Sequence, residues 1–134
     1  MIQKQDLRIG NKVNIIDRSN EVHLVNPFVF EIVEIKAFTV SLILSATKDY
    51  STPQYIEVKY SDISPIPLTE ELLVKNCKFT NAVNKTFIKD HLIIHLDESI
   101  SWFVDGLRLI PIVGLHHLQN VYYYKHNQEL TINL

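Results

Sequence analysis

"SPIPLTEELLVKN", residues 64–76, is the stretch on which the fold turns. Pro65 and Pro67 have no backbone N–H and a fixed φ, so neither fits inside a helix or a central strand. Thr69 then reads as a helix N-cap, its hydroxyl facing the open amides of the first turn. Glu70 and Glu71 follow, where the helix dipole favours negative charge. The helix this announces, "EELLVKN", has about two turns and is too short to hold alone. Leu72, Leu73 and Val74 therefore need a sheet to pack against. The stretch ends one unit and begins another: an all-β, barrel-like part over 1–66 and an α+β part over 67–134.

Upstream, apolar residues recur at strand period. "LRIGNKVNII" (7–16) has apolar residues on both sides of a Gly10-Asn11 turn signal. "VHLVNPFVFEIVEI" (22–35) is punctuated by Asn26-Pro27. Phe28, Phe30 and Ile32 share one face, after which Val33 and Ile35 carry the apolar phase to the other. That switch predicts a bulge or sharp bend near Ile32–Val33. "TVSLIL" (39–44) sends Val40, Leu42 and Leu44 one way. "KDYSTPQ" (48–54) is a polar loop. "YIEVKY" (55–60) places Ile56, Val58 and Tyr60 inward, with Tyr55, Glu57 and Lys59 outward. This run of short strands predicts a small SH3-like barrel or a curled antiparallel sheet.

Downstream, "TFIK" (86–89) and "HLIIHL" (91–96) are strands rich in β-branched and aromatic residues. "SWFV" (101–104) and "LRLIPI" (107–112) flank Asp105-Gly106, a two-residue hairpin signal. Trp102 and Val104 share one face of their strand and Phe103 takes the other, so the strand is central and Trp102 belongs to the core. A final helix runs from near Leu115 to near His126, and Asn127 ends it in the left-handed conformation. "ELTINL" (129–134) closes as a strand with Leu130, Ile132 and Leu134 on one face. The fold class is α+β: the barrel or curled sheet, then an antiparallel sheet covered by two helices.

Composition bounds the function. The chain has 134 residues, 46% hydrophobic and 21% charged, which is globular composition. Its net charge of −2 and pI near 6.3 lack the basic excess of a protein that binds nucleic acid by bulk charge. One local exception runs through Lys75, Lys78, Lys85 and Lys89, with no acid between them. It is a candidate nucleic-acid surface, set against an ordinary solvated helix end and loop. Cys77 is the only cysteine, which excludes an intrachain disulfide and fits a reducing compartment. Glu31, Glu34, Arg108 and Pro111 break the longest apolar runs, so no bilayer span is expected. A soluble, cytoplasmic protein is the expectation.

The chemistry-bearing residues do not assemble into a motif. His91 and His95, four apart on a strand, stand roughly 13 Å apart at the Cα. That is too far for joint ligation of one metal. His116 and His117 diverge by about 100° on a helix. Gly10, Gly106 and Gly114 cannot form a phosphate-cradling loop. Glu70-Glu71 is explained by capping and Asp97-Glu98 by a turn. Cys77, at the end of the short helix, reads as a structural thiol. No catalytic residue, metal or cofactor is expected.

The last helix carries the candidate surface. Leu115, Leu118, Val121, Tyr122 and Lys125 form one stripe. His116, Gln119, Asn120 and Tyr123 form its neighbour. That second stripe either bonds the rim of the adjacent sheet or contacts a protein partner, with tyrosines as anchors. Tyr55, outward on the barrel and near Tyr50, is a further aromatic contact. The exposed edge of "ELTINL" offers a homodimer contact.

At "SPIPLTEELLVKNCKF" and "LHHLQNVYYYKHNQELTINL" the chain resembles a family of uncharacterised small proteins of gut bacteria, often found in phage-derived or mobile regions. There, a PIPLTEE-like segment leads into a short helix ending Gly-Phe. An HxLQNxY-like segment starts a last helix that ends Thr-Gly. The matches here are Pro65–Leu73 and Leu115–Leu130, with a loose pattern around Leu7–Val13. Lys78-Phe79 stands for Gly-Phe, and His126-Asn127 for Thr-Gly. The resemblance implies a phage or mobile-element accessory protein and brings no catalytic residue. The expectation is a non-enzymatic binding or adaptor protein. A nucleic-acid accessory protein is the alternative and a small enzyme the second alternative.

Overall fold

The computed structural model describes residues 2–16, 28–44, 55–97, 102–104 and 110–134, with only the backbone at Ile110. Two compact units divide the chain, Met1–Ile66 and Pro67–Leu134. The expected Asn26-Pro27 break, the loop over 48–54 with Tyr50, and the Asp105-Gly106 turn lie outside the described residues.

The first unit is an antiparallel sheet of β1 (Lys12–Ile15), β2 (Phe30–Ile35), β3 (Thr39–Leu44), β4 (Ile56–Lys59) and β5 (Ile63–Ser64). Their order is β4-β3-β2-β1-β5. Among the described residues the end strands β4 and β5 do not pair with each other, so the sheet is open and no closed SH3-like barrel forms. A 3₁₀ turn at Lys4–Asp6 precedes β1. The predicted strand before Gly10 is absent, and the chain there turns instead. Gly10 sits at φ +96°, which a side chain would resist. Its N–H donates to the Ile32 carbonyl at 2.8 Å. The Asn11 side chain closes the turn by accepting the Arg8 N–H at 2.7 Å.

The bulge stands where the apolar phase switches. Ile32 pairs with Leu42, but Glu34 pairs with Ser41, leaving Val33 extra on β2. This lets Phe30 and Ile32 join Val13, Val40, Leu42, Ile63, Ile2 and Leu7 in one core. Phe28 lies before β2 and is exposed, contrary to its expected inward phase. Ile56 also departs from its inward phase and is 42% exposed; among the described residues β4 has a neighbour on one side only. Lys12 and Glu31 are register partners and form an ion pair at 2.8 Å.

The second unit opens with the expected cap: the Leu72 N–H donates to Thr69 Oγ1 at 3.0 Å. The predicted first α-helix is a π-helical turn, Leu72–Asn76. The Cys77 N–H reaches the Leu72 carbonyl (3.0 Å) and the Phe79 N–H reaches Leu73 (2.9 Å). Lys78, at φ +61°, makes the reversal between them. The bonds span five and six residues, wider than in an α-helical Schellman or αL cap, but the left-handed residue ends the turn in the same place. It buries Leu72, Leu73, Cys77 and Phe79 while leaving Val74 40% exposed.

A second antiparallel sheet follows: β6 (Thr80–Asn81), β7 (Thr86–Lys89), β8 (Leu92–Leu96), β9 (Trp102–Val104) and β10 (Ile110–Ile112), in the order β10-β9-β8-β7-β6. Trp102 is buried on internal strand β9. Its indole N–H donates to the Leu68 carbonyl at 3.2 Å, and its ring lies 5.6 Å from Phe87. Pro111 falls on edge strand β10, where its missing donor costs no ladder bond. Helix α1, Leu115–His126, has the predicted bounds, with Asn127 at φ 53°. It is the single α-helix of the described residues, so the arrangement is α+β with one helix where two were predicted. Residues 129–134 form no strand. The Asn133 N–H instead donates to the Asn76 carbonyl at 2.9 Å. A homodimer through a closing-strand edge therefore has no strand to use.

Candidate functional site

Helix α1 meets the β7–β8 hairpin through a polar clamp. Lys89 pairs with Leu92, leaving Asp90 and His91 as a two-residue turn, at φ 49° and 67°. Both angles are left-handed, as a type I′ turn requires. The turn aims Asp90 at the helix. The Tyr122 hydroxyl donates to Asp90 Oδ2 at 2.5 Å. One turn later the Lys125 ammonium donates to the His91 carbonyl at 2.7 Å. Lys89 donates to the Cys77 carbonyl at 2.6 Å and lies 5.9 Å from the Tyr122 ring centre. His126 packs on the same ring, at 4.6 Å. His91 thus sits in the turn and not on the strand assigned to it from sequence, while His95 stays on β8 and bonds Thr86 across the ladder at 3.0 Å.

The electrostatics of the clamp favour neutral tyrosine and thiol. The Asp90 carboxylate, then burial, push the Tyr122 hydroxyl up to about 12. Burial pushes the Cys77 thiol up to about 11 against the pull of Lys89. A thiol so high is protonated at neutral pH and is a poor nucleophile. Among the described residues no three of His, Cys, Asp and Glu converge as a metal site. The clamp can hold the helix on the hairpin.

The residues singled out from sequence scatter. His116, Gln119 and Asn120 are buried, at 3%, 3% and 7% exposure. Each has an interaction of its own. Of the two readings of this stripe, burial favours an inward-facing role over a partner-facing surface. Tyr123 is half-buried, with its ring edge-on to Tyr124. Tyr55 is 62% exposed at the start of β4, in the other unit. Of the four lysines, Lys75 pairs with Glu71 at 3.0 Å, and Lys89 is committed to Cys77. Lys78 and Lys85 are exposed but both hold left-handed backbone, at φ 61° and 55°. Two of the four serve the fold's own contacts.

What the sequence reading missed is the outward face of α1. His117, Val121 and Tyr124 fall within about 60° of one another on the helix wheel. Val113 precedes them, and its N–H donates to His117 Nδ1 at 3.3 Å. Val113 is 66% exposed and Tyr124 75%, with Val121 half-buried between. The helix buries Leu115, Leu118 and Tyr122 together with His116, Gln119 and Asn120, and leaves Tyr124 exposed. The triple tyrosine was the only signal: three consecutive aromatics cannot all face one side of a helix.

No protein-family model, curated protein or solved structure matches the chain. No helix among the described residues is long and apolar enough to cross a membrane.

Proposed function

We propose that this is a non-enzymatic binding or adaptor protein that engages a protein partner through the outward stripe of α1. The supporting observation is an exposed apolar line on that side of the helix: Tyr124 exposed, Val121 half-buried, and Val113 exposed just before the helix begins. An exposed tyrosine beside aliphatic side chains is the composition of an interface centre. The resemblance to uncharacterised small proteins of gut bacteria, often found in phage-derived or mobile regions, supports an origin of that kind.

The test is affinity capture from host lysate with the wild type and with Tyr124→Glu, each run with and without nuclease. Both proteins must melt at the same temperature. Proteins retained by the wild type and lost with Tyr124→Glu support the stripe. Identical retention by both overturns it. Material retained only without nuclease moves the assignment to Lys78 and Lys85.

A further inference from the structure

We infer that the protein self-associates through its first unit, by antiparallel pairing of β4 with β4 of a second copy. Among the described residues β4 is the end strand of its sheet and bonds to β3 alone. Its side chains are exposed at Ile56, Glu57 and Lys59 and half-buried at Val58. An open strand edge with exposed apolar residues is a template for another strand.

The sequence of β4 selects both the occupant and the register. Residues opposite each other in an antiparallel pair share a face, so a two-fold axis normal to the sheet must pass through a residue position. An axis at Glu57 would set Glu57 against its own copy, two like charges in direct opposition. An axis at Val58 sets Glu57 against Lys59 of the copy, twice by symmetry, and Val58 against Val58. The edge is thus complementary in charge to itself in one register and repelled in the next. That is the self-matching an isologous contact needs.

The faces agree. Ile56 and Val58 are register partners of Leu42 and Val40, which are fully buried. Tyr60, opposite Ile56, already belongs to the 3₁₀ turn Tyr60–Asp62, so the paired stretch is Glu57–Lys59 with Val58 at its centre. Glu57 and Lys59 lie on the opposite face. Glu57 is already oriented there by Thr39 Oγ1 at 2.6 Å and Lys36 at 3.2 Å. These bonds hold its carboxyl below the usual carboxylate range. The negative partner is therefore fixed in place before association, which lowers the ordering cost of the pair. Lys59, exposed, supplies the mobile positive partner.

Light scattering on the full chain across a concentration series, up to about 1 mM, reads the association directly. The expected result is a dimer that Lys59→Glu weakens at least about tenfold, by turning both attractive pairs repulsive. Lys59→Arg keeps it. Oxidative crosslinking tests the register: Val58→Cys forms a disulfide-linked dimer, because position 58 faces itself across the axis. Ile56→Cys does not, because its copies stand roughly 13 Å apart. The native Cys77 is buried and does not compete. A wild type that stays monomeric throughout, or a Lys59→Glu protein that dimerises as well as the wild type, overturns the inference. Crosslinking through position 56 in place of 58 overturns the register.

Discussion

Replacing Lys78 by glycine should stabilise the protein. Lys78 turns the chain out of the π-helical turn at φ 61°. A residue with a Cβ held in the left-handed region costs about 1–2 kcal/mol. Glycine removes that cost but loses about 0.5–1 kcal/mol more through its freedom in the unfolded chain. The difference is a net gain of about 0.5–1 kcal/mol. Trp102, the single tryptophan and buried, reports unfolding by fluorescence. With a urea slope of about 1.5 kcal/mol/M, the midpoint should rise by about 0.3–0.7 M at unchanged slope. Lys78→Ala is the control. It removes the same charge and stem but keeps the Cβ, so its midpoint should stay near the wild type. If Lys78→Ala and Lys78→Gly shift the midpoint alike, the backbone argument fails and the side chain is responsible. If Lys78→Gly lowers it, the left-handed cap itself is wrong.

Tyr122→Phe should cost about 1–2 kcal/mol at pH 8, the worth of a hydrogen bond to a carboxylate. The Tyr122 pKa is raised in the folded state to about 12, so this contribution is present below the ordinary value near 10 and fades as pH rises through 12. Urea midpoints of wild type and variant should converge over that window; a constant gap would refute the assignment. Cys77 should react with an aromatic disulfide at least about a hundredfold more slowly in the native protein than in urea at pH 8, a ratio read from thiolate release. Gly10→Ala should cost about 1–2 kcal/mol by urea titration, from conformation alone, because no atom lies within 4 Å of the added carbon. Thr69→Ala should cost about 1 kcal/mol, the value of its cap, and Thr69→Ser should restore it.

Elements whose cause is local were legible in the sequence. The Val33 bulge follows from a change in apolar phase, which no straight strand can satisfy. The Thr69 cap and the Asn127 terminus follow from side chains suited to those backbone groups. The elements that failed depend on neighbours. "ELTINL" has strand alternation, but a strand exists only beside a partner, and the Asn133 N–H is taken by the end of the π-helical turn. The Asp90-His91 turn carries no glycine, so nothing local announces two left-handed residues. The π-helical turn was hidden for the same reason: a lysine stands where glycine would have marked the end. The candidate site was least legible. Helical spacing grouped His116, Gln119, Asn120 and Tyr123, but spacing does not tell which stripe the rest of the protein covers.

The buried polar stripe bears on what the exposed one is for. His116, Gln119 and Asn120 face inward, and polar groups placed inward constrain a helix more than apolar ones would. Such a stripe is selective for one rotation of the helix. That rotation is held again at the other end by Tyr122 on Asp90 and Lys125 on the His91 carbonyl. With the helix fixed at both ends, the direction in which Val113, Val121 and Tyr124 point is fixed too. Stability gains little from Val113 and Tyr124, which stay mostly exposed. Single exposed apolar residues need no explanation. A line of them on a helix whose rotation is set by buried polar groups is the arrangement a rigid contact surface requires.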